Sequence, residues 1–140
     1  MKRIIQGKSI VSGRATGRMI ISQEPFSFFG GFDFSRGLVV DPRSDIYGES
    51  LKDKIFAYPR GKGSSSTAGV ILEALRRGVA PKAIINVESE KILVVGIIVA
   101  KVAFGWSLPV LSISEEDYQL LPAGAMAEIV DGRIILVKND

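Results

Sequence analysis

"KIFAYPRGKGSSSTAGVILEALRRGVAPKAIINV", residues 54–87, is the stretch whose reading decides the fold. It opens on a short apolar run closed by Tyr58-Pro59 and ends on another, "KAIINV". Between them Ala68, Ile71, Leu72 and Leu75 recur at helical spacing, and Gly78 followed by Pro81 supplies a stop. The spacing predicts a helix from about Thr67 to Arg77, so the unit reads strand, helix, strand. The helix is entered through Arg60-Gly61-Lys62-Gly63-Ser64-Ser65-Ser66, where two glycines, three hydroxyls and two cations crowd together.

Outward from this unit, "ESEKILVVGIIVAKVAFG" is rich in β-branched residues, which favours a strand, but its length and acidic start favour a buried helix. "PVLSIS" reads as a strand, and "GAMAEIVDGRIILVK" as a hairpin turning at Asp131-Gly132. Toward the N-terminus, "RIIQGKSIVSGRATGRMIIS" reads as two β segments punctuated by Gly7, Gly13 and Gly17. "EPFSFFGGFDFSRG" is too broken by Gly, Pro and Ser for a helix and reads as a long loop with some strand character. "GLVVD" and the start of residues 54–87 are short strands. A β-rich N-terminal half, central strand–helix units and a C-terminal hairpin fit a layered α/β fold, with residues 1–140 forming one domain.

Composition narrows the function. Apolar residues make up 46% and charged residues 24%, the balance of a globular protein. The net charge of +3 comes from 18 basic and 15 acidic residues, and no run of five basic residues exists, so no nucleic-acid partner is expected. The longest apolar run, Ile92–Ala100, is nine residues where a membrane span needs roughly 20, and "MKRIIQGKS" lacks the apolar region of a secretory signal; no membrane contact and a cytoplasmic location are expected. There is no cysteine and no histidine. This chain therefore offers no thiolates for an iron–sulfur cluster or zinc, and no imidazole as a general base or phosphoryl carrier. No metal site is expected on it.

The loop before the helix has a chemistry of its own. The first amides of a helix lack intrahelical partners and carry a partial positive charge. Gly61 and Gly63 allow close approach, Ser64, Ser65 and Ser66 add donors, and Arg60 and Lys62 add full charges. Together they suit a carboxylate or a phosphate. The Walker pattern is absent, because no glycine stands five residues before Gly61. The plainer alternative is that one of Ser64–Thr67 merely caps the helix.

Separated pieces of the chain then converge. "FFGGFDFSRGLVVDPRSDIYGESLKDKIFAYPRGKGSSST", followed by "LRRGVAPKAIINVESEKILVVGIIVAKV", resembles the aconitase-X swivel domain family, in particular its phosphomevalonate dehydratase small subunits. The likeness is carried by the Gly-Gly-Phe-Asp loop, the Asp41…Gly48-Glu49-Ser50 segment, the Pro59…Ser66 loop and the Ala80-Pro81…Ile84-Ile85 strand entry. It implies a swivelling β/β/α domain docked on a larger subunit that holds a [4Fe-4S] cluster. It implies a hydro-lyase that converts (R)-5-phosphomevalonate, a phosphorylated hydroxy acid, to trans-anhydromevalonate 5-phosphate. By position the resemblance makes Ser64 the base, with Ser65 next, and Gly61, Gly63, Ser65, Ser66, Arg60 and Lys62 the substrate-binding set. Aconitase proper places an arginine soon after its serines. Ser66-Thr67 stand there instead, so Arg60, Lys62 or a partner's cation must meet the substrate anion.

Other readings stand beside this one. A related enzyme acting on another hydroxy acid, such as a hydroxyproline, shares the chemistry, and a stand-alone anion-binding module shares the loop. Asp33 and its surrounding phenylalanines belong either to an interface or to the core edge. Asp41, Asp45 and Glu49 read as solvated acids near turns, since they lack EF-hand spacing. Lys101 is expected to snorkel, and Trp106 to anchor a core or an interface.

Overall fold

The computed structural model describes residues 2–62 and 65–137. Among them the order is β1 (Lys2–Gln6), β2 (Lys8–Val11), β3 (Arg14–Ile21), α1 (Phe28–Gly31), β4 (Phe32–Asp33), β5 (Leu38–Val39), β6 (Ile55–Ala57), α2 (Thr67–Arg77), β7 (Ala83–Asn86), α3 (Lys91–Phe104), β8 (Val110–Ser112), α4 (Glu115–Gln119), β9 (Met126–Val130) and β10 (Arg133–Val137). The expected β/β/α layering is what forms. Eight strands run in the order β1-β10-β9-β3-β6-β7-β8-β2. β3 pairs antiparallel with β9 over Arg14–Arg18, then parallel with β6 over Met19–Ile21, so one strand passes from one sheet into the other. β1 on β10 and β2 on β8 do the same at the far side, with Gly7 alone between them. A Cβ on Gly7 would lie 2.6 Å from the Ser112 carbonyl oxygen and 3.1 Å from that of Gly132, so this corner admits only glycine.

Side-chain alternation along the central strands divides the core in two. Ile55, Ala57, Ala83, Ile85 and Leu111 face the second sheet, where they meet Met19, Ile129 and Ile134. Phe56, Tyr58, Ile84 and Val110 face the helices, where they meet Ile71, Ala74, Leu93 and Ile97. Buried on both faces, these parallel strands read as continuous apolar runs rather than alternating ones. α2 and α3 lie together on the outer face. They cross where a Cβ on Gly96 would come within 2.9 Å of the Ala68 Cα.

The 24–37 segment is more ordered than a loop. α1 is a single turn with non-helical backbone at Phe29 and Gly30, and β4 pairs antiparallel with β5. Phe26, Phe28 and Phe32 take the core-edge role, buried edge-to-face against Phe56 and one another, while Phe29 and Phe34 are exposed. α3 resolves the ambiguous segment as a helix. α4 is an element the sequence reading missed. Ser114 Oγ accepts from the Asp117 amide at 3.1 Å, and three acids fill its first turn.

Two glycine-to-alanine changes on the helices have opposite expected signs. Gly96→Ala forces backbone against backbone at the α2–α3 crossing and should destabilise by roughly 1–3 kcal/mol, outweighing the ~1 kcal/mol that alanine gains in helix propensity. Gly69→Ala, with no described atom within 4 Å, should stabilise by up to ~1 kcal/mol. Urea unfolding of the two variants checks this; equal effects would contradict the crossing geometry.

Candidate functional site

β3, β6, β7 and β8 run parallel, so their carboxyl ends open on one edge. Chain order then places the N-termini of α2 and α3 at that same edge. In open α/β sheets this is where ligands bind, because the strand exits are free to diverge and the helix starts supply amides. The exits are tied together by main-chain hydrogen bonds. Pro59 O accepts from the amides of Val87 and Glu88 at 3.0 Å each, and Asn86 Nδ2 donates to Tyr58 O at 2.8 Å. On the other side, the Phe26 amide donates to Arg60 O at 3.0 Å and the Lys62 amide to Phe26 O at 3.2 Å, a parallel bridge between Phe26 and Gly61. Residues 59–62 are thereby held as a short extended rib between the β7–α3 turn and the phenylalanine loop.

The rib separates two open clefts. One, of about 460 Å³, is lined by Arg60, Gly61 and residues 88–92. The other, of about 400 Å³, is lined by Lys62, Asp41, Arg43 and the Gly30-Gly31 turn. The structure thus places the two cations of the loop on different clefts rather than at one point. Each already faces carboxylates: Arg60 meets Glu88 at 3.4 Å and Glu115 at 3.8 Å, and Lys62 meets Asp41 at 3.9 Å. The Asp41 carboxyl is held below its ordinary value, chiefly by the Arg43 amide, and so stays charged opposite Lys62. Ser65 and Ser66 are exposed. Ser66 is the residue before α2 and makes no side-chain capping bond. Gly63 and Ser64, expected as substrate-binding and catalytic residues, lie outside the described residues.

Sequence reading missed the group that sits against the rib. Tyr58, fully buried, donates to Glu90 Oε2 at 2.8 Å. The Glu90 side chain lies so close over Gly61 that a Cβ there would run into its carboxyl. Gly61 is therefore needed as glycine because of Glu90, not only for ligand approach. Burial pushes the Glu90 carboxyl up, against the pull of the Tyr58 hydrogen bond, and burial pushes the Tyr58 phenol well above its ordinary value, with Glu90 adding to it. In sequence, the acidic start of "ESEKILVV" gives only a helix signal. Asp45 is likewise more than a solvated acid, accepting from Ser22 Oγ at 2.7 Å and the Gln23 amide at 2.8 Å. Among the described residues no group of three His, Cys, Asp or Glu could hold a metal, and no helix is long and apolar enough to cross a membrane.

A folded-state pKa raised above the unfolded value means stability that is present at low pH and lost as pH rises through the folded value. Glu90→Gln keeps the acceptor for Tyr58 and removes the titration. Its melting temperature relative to the parent should therefore rise progressively as pH increases above the ordinary carboxylate range. A pH-independent difference would contradict the burial of this carboxyl.

Comparison with known proteins places this geometry. The aconitase X swivel domain model matches residues 4–137. The chain is 47% identical over 96 residues to the phosphomevalonate dehydratase small subunit of Pyrococcus furiosus, covering 69% of this chain and 72% of that one. It is 38% identical over 133 residues to the cis-3-hydroxy-L-proline dehydratase of Hypocrea jecorina, covering 95% of this chain and 22% of that protein. The crystal structure of Thermococcus kodakaraensis aconitase X in its holo-form superposes with a TM-score of 0.86 at 34% identity, covering 97% of this chain and 99% of that one. The chain belongs to the aconitase X swivel domain family.

Proposed function

We propose that this chain is the small subunit of a two-subunit hydro-lyase, active only with its large subunit, that dehydrates (R)-5-phosphomevalonate to trans-anhydromevalonate 5-phosphate. The observation that carries the reading is the likeness to relatives named phosphomevalonate dehydratase small subunit, at 47% identity over more than two thirds of both chains. The name implies a larger companion. The residues fit that division: with no cysteine or histidine, this chain leaves cluster ligation to the partner. The partner's [4Fe-4S] cluster supplies Lewis-acid assistance to the departing hydroxyl.

What remains for this chain is the proton and the anion. Ser64 takes the proton from the carbon beside the carboxylate as the double bond forms and the hydroxyl leaves the neighbouring carbon. A serine oxygen is a weak base, so it needs donors fixed around it before it reacts, and the amides and hydroxyls of Gly61, Gly63, Ser65 and Ser66 are the candidates. Arg60 and Lys62, opening on separate clefts, suit the two ends of a substrate carrying both carboxylate and phosphate. Their present ion pairs are loose and their side chains about half exposed, so they are worth little and can be displaced by a better-placed anion.

The likeness to a hydroxyproline dehydratase supports a second reading with the same chemistry and another hydroxy acid. Reconstitution with the large subunit, assayed on 5-phosphomevalonate and on cis-3-hydroxy-L-proline, separates the two. On the first substrate, Ser64→Ala should retain subunit pairing while turnover falls by roughly 10³-fold, in the range expected for losing a general base. Turnover within a few-fold of the parent would remove Ser64 from the role, and turnover of hydroxyproline alone would replace the substrate.

A further inference from the structure

α3 is apolar nearly all round, and a helix of that kind is ordinarily buried on every side. Here one side is buried: Leu93, Gly96, Ile97 and Ala100 pack inward against α2 and the sheet. The opposite side is not. Ile92, Val95, Ile98, Val99 and Val102 are exposed there, from 43% for Ile92 to 81% for Val102, and Phe104 is exposed at the helix end. These are six of the twelve large apolar side chains exposed among the described residues, gathered on a helix of 14 residues. At its end Phe104 stacks on Trp106 with ring centroids 4.5 Å apart. The five residues of that side present on the order of 500 Å² of apolar surface, against roughly 800 Å² for one side of a standard protein interface. A patch of this size is as large as the largest on a typical monomer, and such patches are often functional.

Two further features say what covers it. Ile92, Val95, Val99 and Val102 are spaced three, four and three residues apart, the seam by which one helix packs along another. The seam also begins inside the candidate site, because Ile92 lines the same cleft as Arg60, Gly61 and Glu90. A body seated on α3 is thereby brought to the edge of that cleft. We infer that the exposed face of α3 is the surface on which the large, cluster-bearing subunit docks, with an apolar helix or groove of that subunit lying along Ile92, Val95, Val99 and Val102. The inference rests on the proposed function, which supplies the partner, and adds where the partner sits.

The test is a titration of the large subunit with this chain, reading turnover of 5-phosphomevalonate and sedimentation of the pair. Val99→Glu and Val102→Glu, separately and together, place charge on the seam at exposed positions where folding does not depend on the side chain. Ile4→Glu, equally exposed on β1, is the control. The double variant should need at least 100-fold more protein for half-maximal turnover yet reach the parent's plateau, while Ile4→Glu titrates like the parent. Half-saturation within threefold of the parent would overturn the docking surface and leave the function standing. If the parent chain itself neither pairs nor supports turnover, the functional reading fails and the docking surface falls with it. If it self-associates in a way that Val102→Glu abolishes while pairing is unchanged, the face belongs to a second copy, which also overturns the inference.

Discussion

Everything in this fold follows from three short parallel strands that must be covered on both faces. β6, β7 and β8 are only three, four and three residues long. A net main-chain hydrogen bond is worth about 1 kcal/mol, whereas each fully buried Ile or Phe contributes roughly 1.5–3 kcal/mol, so burial rather than pairing holds such strands. Covering one face takes the antiparallel sheet of β1, β10 and β9, and covering the other takes α2 and α3. The three layers are the consequence. So are the corners at Gly7 and Gly17, where a strand leaves one sheet for the other: a Cβ on Gly17 would approach the Asp53 carbonyl oxygen to 2.8 Å.

The same constraint places the site. Parallel strands joined by helices on one face deliver their carboxyl ends and the helix starts to a single edge, and this is where the rib of residues 59–62 lies. The rib is rigid for reasons visible in its neighbours: the Pro59 carbonyl is bonded to two amides, Gly61 is bridged to Phe26, and Glu90, held by Tyr58, closes over it. What the rib offers is incomplete. Two half-exposed cations face two open clefts and meet carboxylates at 3.4 to 3.9 Å. An arrangement of exposed charges at the rim of an uncovered cleft is weak in water and becomes strong only when a second body excludes solvent from it. A half-site of this kind accords with a chain that works in partnership.

Much of this was legible in the sequence because the signals were local and mutually consistent. The span of α2 matched its spacing and its Gly78 stop, and the Asp131-Gly132 turn, with φ of 55° at Asp131, matched the hairpin reading. α3 was decided by length against β propensity, as packing on α2 requires. Other features depended on residues far apart in the chain. Nothing near Glu90 announces that its carboxyl would meet Tyr58, 32 positions away, or fill the space over Gly61. Arg60 and Lys62 look like one cationic pair in sequence, and strand alternation would put residues two apart on one side, yet they line different clefts. The exposure of α3 was invisible too, since an apolar helix facing a partner and one facing a core have the same composition. α4 is the exception, a local capping signal at Ser114 that went unread.

The central claim is that the substrate site is shared between this chain and a larger one. Calorimetric titration of 5-phosphomevalonate tests it most directly, first into the isolated chain and then into its complex with the large subunit, carrying Ser64→Ala so that bound substrate is not consumed. The account predicts no measurable heat of binding to the chain alone and saturable binding to the complex. Comparable affinity for the isolated chain would contradict it, and would make this domain an anion-binding module in its own right.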